Sequence, residues 1–287
     1  MSFVRNLGTT LEMIKWEHSI FALPFALTGA VLAAHGWPTV MQLLWIIVCM
    51  VTARSSAMAF NRWADADLDA ANPRTAARAI PAGLLSKGFV GAFTLVMALL
   101  FLFSASRLNR LTLLLSPVAL LVVLGYSYTK RFTRWSHLFL GLALGIAPAA
   151  AWIAIRGSLD PRILVLAVAV LFWVAGFDVL YACQDAEHDR KAGLRSVPQS
   201  LGLARAFGVA RVMHGVMLLL LLWLLRLFHL GPVAWWGLVV VGGLLFYEHS
   251  IVSPSDLRRL NAAFFTLNGV ISVLFFGFVA TAVFLDR

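Results

Sequence analysis

Charge is what this chain of 287 residues has least of: Asp, Glu, Lys and Arg make up 13% of it, against about 25% in an ordinary soluble domain. Acids are the scarcer sign, 13 against 23 bases, for a formal net charge of +10. The two cysteines, Cys49 and Cys183, form no spaced pair, which argues against a disulfide framework or a thiolate metal site. The short alternation of a membrane β-barrel is absent. No polar stretch is long enough for a separate soluble domain, so residues 1–287 read as one integral-membrane unit.

What fills the chain instead is apolar, at 61% hydrophobic residues and a mean hydropathy of +0.87. It comes in nine blocks: His18–Ala34, Val40–Phe60, Phe89–Ser106, Leu111–Tyr128, His137–Ile155, Ile163–Cys183, Phe207–Leu225, Val233–Val252 and Ala262–Leu285. Each is near the ~20 residues that carry a helix across ~30 Å of hydrocarbon. The expected fold is all-α, a multi-pass membrane protein of about nine helices around a central cavity. The first block continues into further spans and reads as a span, not a cleavable signal. Pro24, Pro117 and Pro148 fall inside blocks, as membrane helices tolerate.

The positive charge does not point to nucleic acid, because it lies in the loops between blocks. With the N-terminus on the cytoplasmic side, 16 of the 23 basic residues fall on inside segments and 6 outside. The positive-inside rule therefore predicts the inner (cytoplasmic) membrane with the N-terminus in the cytoplasm.

Two inside loops are longer, about 61–88 and 184–206, and they resemble each other. The first contains "DADLDAANPRTAARAIPAG", the second "DAEHDRKAGLRSVPQSLG". Asp65 and Asp69 map onto Asp185 and Asp189 at one offset of 120 residues, and each pair is followed by Arg-x-(Ile/Val)-Pro. This pattern suggests an internal duplication with paired functional loops. Residues four apart share a helix face, so Asn61, Asp65 and Asp69 form one stripe and Asp178, Tyr181, Asp185 and Asp189 another. Asp67 and Glu187 fall off both. Carboxylates at that spacing repel unless a cation stands between them, and Mg²⁺ is held by one or two carboxylates plus waters and substrate phosphates. Two facing stripes would hold two ions bridged by a diphosphate. The plainer alternative, solvated acids balancing basic neighbours, suits a single pair better than two matched ones.

Asp178 lies within the sixth block, and an intramembrane carboxylate is by default a functional candidate; its alternative is a structural pairing with Arg54 or a lysine. "GYSYTKRFTRW" places Lys130 and Arg131 at the inside end of the fourth block. They are either interfacial anchors or a clamp for phosphate or carboxylate, to which an arginine fork is suited. Glu248 and His249 divide equally between helix–helix bonding and lining a site.

"NRWADADLD…NPRTAARAIPAG", "SYTKRF" and "DVLYACQDAEHDRKAGLRSVP", with "WEHSIFALPFAL" in the first block, resemble the UbiA superfamily of membrane-embedded polyprenyltransferases over essentially the whole chain. The resemblance implies nine helices around a cavity and paired N-x₃-D-x₃-D and D-x₃-D motifs for Mg²⁺ and diphosphate. Asn61, Asp65 and Asp69 would bind one ion and Asp185 and Asp189 the second. Lys130, Arg131, Arg62 and Arg78 would neutralise phosphate oxygens or an acceptor carboxylate, and Asp178 and Tyr181 would line the cavity near the reacting carbon. Where many members have Asp after the motif's Asn, this chain has Arg62, which argues against a metal ligand there.

The branch it looks most like acts on hydroxyaryl carboxylates in ubiquinone and menaquinone biosynthesis. The expected reaction is Mg²⁺-dependent transfer of a polyprenyl group from polyprenyl diphosphate to the ring of an acceptor such as 4-hydroxybenzoate. A dihydroxynaphthoate is the alternative acceptor. The rival of another class is a cation- or proton-coupled secondary transporter, which leaves the clustered loop acids and the repeated Arg-Pro segments unexplained. A phospholipid head-group transferase would be expected to carry one longer Asp-rich block.

Overall fold

Each apolar block contains one long helix, because a backbone in hydrocarbon must satisfy its own hydrogen bonds; the fourth ends in a 3-10 turn and the ninth opens on a π-helical segment, Ala263–Leu267. The structure, a computed structural model, describes residues 3–15 and 19–285; Trp16, Glu17, His18 and both chain ends lie outside the described residues. The long helices are α1 (Ser19–Ala34), α2 (Val40–Ala64), α3 (Lys87–Ser106), α4 (Arg110–Gly125), α5 (Ser136–Arg156), α6 (Ile163–Ala182), α7 (Leu203–Leu227), α8 (Pro232–Ile251) and α9 (Asn268–Leu285). Among the described residues, seven helical stretches are long and apolar enough to cross a membrane by length and composition. The other two are α1, with 16 residues, and α8, whose last turns carry Glu248 and His249.

Polar caps mark where spans begin: Thr39 and Gln42 form a reciprocal box before α2, and Ser86 and Asn109 cap α3 and α4. Such caps satisfy amide groups that the first helical turn leaves unpaired. Pro24, Pro117 and Pro148 lie inside α1, α4 and α5.

Helices α2 to α9 pack in sequence, α9 lies against α1, and α1 lies against α5. One side is dense. Gly29 of α1 meets the Pro148 backbone of α5, and Gly141 and Gly145 of α5 meet the backbone of α6, with no room for a Cβ. Small residues at such crossings are how membrane helices approach closely. Trp173, Phe25 and Phe275 fill the core there. Against this block, α2 and α4 leave a cavity. Large apolar side chains, Leu121, Val239 and Phe246 among them, are exposed on the outside, as lipid contact requires.

The two longer loops carry short helices of their own. The first contains the helix Ala66–Ala71 and the second the helices Ala186–Lys191 and Val197–Leu201.

Candidate active site

The two matched motifs adopt the same local structure. Asp65 ends α2 and precedes the helix Ala66–Ala71, with φ −99° and ψ 6°. Asp185 ends a 3-10 turn after α6 and precedes the helix Ala186–Lys191, with φ −105° and ψ 1°. Each motif is thus a long helix, a bend at its first aspartate, and a six-residue helix carrying the second. The single uninterrupted face expected for Asn61, Asp65 and Asp69 is bent at Asp65, although the Asp69 amide still donates to the Asp65 carbonyl at 2.7 Å.

Side-chain cations neutralise three of the four carboxylates. Asp65, 2% exposed, accepts from Lys130 Nζ at 2.6 Å, Arg131 Nη2 at 3.2 Å and Asn61 Nδ2 at 3.1 Å. Lys130 and Arg131 reach it from the 3-10 turn Tyr126–Arg131 that continues α4. Asp69 pairs with Arg78 Nη1 at 2.6 Å. Asp185 is clamped in bidentate fashion by Arg74, through Nε at 2.8 Å and Nη2, and accepts from Asn72 Nδ2 at 3.1 Å. Arg74 also donates to the Tyr181 hydroxyl at 3.2 Å. Asp189 accepts from the Ser196 hydroxyl at 2.9 Å, and among the described residues no cation forms an ion pair with it.

These partners set the acidities. Burial opposes the charge of Asp185, but the hydrogen bonds and charge of Arg74 outweigh it and hold the carboxyl below its usual value. Arg74 is likewise opposed by burial and held above its usual value by Asp185. Burial raises Asp189, against the Ser196 hydrogen bond and with the Asp185 charge adding to the rise. Of the four motif carboxylates, Asp189 is the one without a cation in an ion pair among the described residues.

Beneath the caps lies a cavity of about 790 Å³. Asn61, Arg62, Arg78, Asp178 and Tyr181 line its polar end, and α2, α4 and α5 line the rest mainly with alanine, leucine, valine and isoleucine. The Arg62 guanidinium reaches Asn61 Oδ1 only at 3.5 Å. Arg54 also lines the cavity, and bonds the Ile14 carbonyl at 3.1 Å. Glu248 and His249 lie elsewhere: Glu248 is bonded by Asn268 at 3.4 Å and His249 contacts His214 at 2.9 Å. Asp67 and Glu187 face solvent, with side chains 97% and 81% exposed.

Arg74 and Asn72, which tie the first motif's loop to the second motif's carboxylate, escaped the sequence assignment of site residues. Their one signal was the "NPR" inside the first motif. His137 escaped too. It is buried in the first turn of α5 and contacts Asp178 Oδ2 at 2.7 Å through Nδ1; one polar residue opening an apolar block gives no hint of that contact.

Among the described residues, no three acidic, histidine or cysteine side chains converge as a ready metal cluster. The donors available are nonetheless oxygens of Asn and Asp, the set a hard divalent ion takes. Asp69 Oδ2 is also buried with no hydrogen-bond partner. The residues present fit such an ion, which would share the carboxylates with the side-chain cations.

Two matched carboxylate caps, side-chain cations and an apolar cavity beneath them mark this helical membrane protein. Residues 22–270 match the UbiA prenyltransferase family. The chain belongs to this family and is a membrane prenyltransferase. It is 30% identical to a 4-hydroxybenzoate octaprenyltransferase of Nitrosomonas europaea, over 99% of this chain and 98% of that one. The apo structure of a UbiA homologue from Aeropyrum pernix K1 superposes with a TM-score of 0.84 at 30% identity, covering 94% of this chain and 98% of that chain. A UbiA homologue from Archaeoglobus fulgidus, solved bound to DMAPP and Mg²⁺, shares the fold with a TM-score of 0.73 at 18% identity, over 96% and 99% of the two chains.

Proposed function

We propose that this prenyltransferase moves a polyprenyl group from polyprenyl diphosphate to the ring of a hydroxyaryl carboxylate such as 4-hydroxybenzoate, with Mg²⁺ as cofactor, in quinone biosynthesis. A dihydroxynaphthoate is the second candidate acceptor. The observation that carries the reading is the pair of matched carboxylate caps at the polar end of an apolar cavity. The relative named for 4-hydroxybenzoate prenylation supports the acceptor class, and the homologue bound to DMAPP and Mg²⁺ supports the metal.

In this reading residues 1–287 work as one integral-membrane unit in the cytoplasmic membrane, with both caps facing the cytoplasm. Asn61, Asp65, Asp69, Asp185 and Asp189 would hold the ions. When bound, Mg²⁺ supplies charge that favours departure of the diphosphate. Lys130, Arg131, Arg62 and Arg78 meet phosphate oxygens or the acceptor carboxylate. As the allylic C–O bond breaks, the electron pair leaves with the diphosphate, and these cations stabilise it where charge develops. The apolar walls keep water from the allylic carbon. The hydroxyl-activated ring then forms the new C–C bond, and its proton departs beside Asp178 and Tyr181.

Membranes containing the protein should convert labelled polyprenyl diphosphate and 4-hydroxybenzoate to prenylated acid and inorganic diphosphate, and lose that conversion when Mg²⁺ is chelated. A product with dihydroxynaphthoate alone would select the second acceptor. No product with either, and no diphosphate released, would refute the reading and leave the transporter class.

A further inference from the structure

Asp178 stands in the cavity wall with its side chain 23% exposed, while the imidazole that holds it, His137, is 3% exposed. The ring is gripped from both sides. Nδ1 meets Asp178 Oδ2 at 2.7 Å, and Nε2 lies 3.3 Å from the Val197 backbone N–H. A backbone N–H can only donate, so Nε2 accepts, and Nδ1 carries the proton and donates a hydrogen bond to Asp178. The arrangement fixes one tautomer and leaves the other carboxylate oxygen of Asp178 to the cavity.

The grip on Nε2 comes from a segment that is itself tied to both caps. Arg195, Ser196 and Val197 are consecutive, and each makes one link. The Arg195 amide donates to the carbonyl of Lys130, whose ammonium pairs with Asp65. The Ser196 hydroxyl donates to Asp189. The Val197 amide donates to His137, which holds Asp178. One three-residue junction therefore bonds the backbone of the lysine that serves the first cap, the carboxylate of the second, and the residue that orients the acid in the cavity.

We propose that His137 is a positioning residue for the transfer reaction: as a neutral Nδ1–H tautomer it sets the Asp178 carboxylate toward the acceptor and couples that orientation to the Arg195–Val197 junction. This rests on the prenyl-transfer reading. The balance is simple: the prenyl C–O bond breaks with its electrons going to diphosphate, a ring C–C bond forms, and the ring proton departs to Asp178. His137 gains and loses no proton in the cycle; its work is geometric.

The requirement is one N–H donor and one acceptor at fixed separation, which a glutamine amide also offers and alanine does not. In detergent or nanodiscs, His137→Gln should retain kcat within about threefold. His137→Ala should lose about 10–100-fold in kcat, with KM for both substrates within about threefold, the scale seen when outer supporting hydrogen bonds are removed. Adding Asp178→Asn to His137→Ala should cost much less than its separate loss predicts, since both act through one carboxylate. A second readout needs no turnover: ¹⁵N spectra of ring-labelled protein, with the His137 signal assigned by its absence from His137→Gln, should show Nδ1 protonated and Nε2 bare.

Native kcat in a folded His137→Ala protein, losses that multiply with Asp178→Asn, or a protonated Nε2 would each overturn the proposal. If His137→Ala does not fold, the ring spectrum and His137→Gln still decide it. If the native protein transfers no prenyl group to any aromatic acceptor, the functional reading fails while the tautomer result stands by itself.

Discussion

Asp65 and Asp189 sit in matched motifs yet live in different surroundings. Asp65 is almost wholly buried and takes three side-chain donors, two of them cations from the end of α4. Asp189 is half-buried and takes one hydroxyl. Between them, Asp185 is held by Arg74 and Asn72 of the first motif's own loop. The two motifs share the backbone bend and differ in their charge partners. The first cap has a cation on each carboxylate and one buried oxygen, Asp69 Oδ2, left without a hydrogen bond, and the second is held partly by the first and has no ion pair at Asp189 among the described residues. A divalent ion or a substrate-bound ion fits that difference: the second cap has most to gain from one.

The largest effect should come from removing either cap's first carboxylate. Asp65→Asn and Asp185→Asn each keep the side chain's shape, and each should lower prenyl transfer by about 10³-fold, the scale of removing a group aimed at developing charge. Membrane insertion, followed by protein level in the membrane fraction, should persist. A large loss at one site only would break the idea that the caps work as a pair.

Next in size is the tie between them. Arg74→Lys keeps the charge and removes the bidentate fork, an exchange that is not conservative at such a site. A loss of about tenfold in kcat/KM for the diphosphate substrate is expected, comparable to losing an outer-shell support. Native kinetics would make Arg74 a bystander and the caps independent.

Asp189→Asn sharpens the contrast differently. It should raise the Mg²⁺ concentration for half-maximal activity by about tenfold, read from a metal titration at saturating substrates. An unchanged titration would move the second ion away from this residue. The smallest effect belongs to the exposed acids: Asp67→Asn and Glu187→Gln should stay within about twofold of native activity, as exposed charges contribute little.

How much of this was legible beforehand differs by scale. The blocks from Val40 and from Ile163 become α2 and α6 within a few residues of where hydropathy placed them, because lipid imposes helix length directly. The carboxylates could be found because acids are rare here and the two pairs match. Their surroundings could not. The bend at Asp65 and its twin at Asp185 is a backbone event that i, i+4 spacing does not announce. Lys130 lies 65 residues from Asp65 and Arg74 lies 111 from Asp185. Pairings at that range depend on how α2, α4 and α6 pack. His137 was least legible: its meaning comes from a backbone amide 60 residues away and a carboxylate 41 away.

The most direct test of the paired-cap account is to measure prenylated product and inorganic diphosphate together, in membranes carrying the native protein or Asp185→Asn, with and without Mg²⁺. The account predicts equal amounts of product and diphosphate from the native protein with Mg²⁺, about 10³-fold less of both from Asp185→Asn, and neither from the chelated native protein. Full Mg²⁺-dependent release and transfer by Asp185→Asn would contradict it.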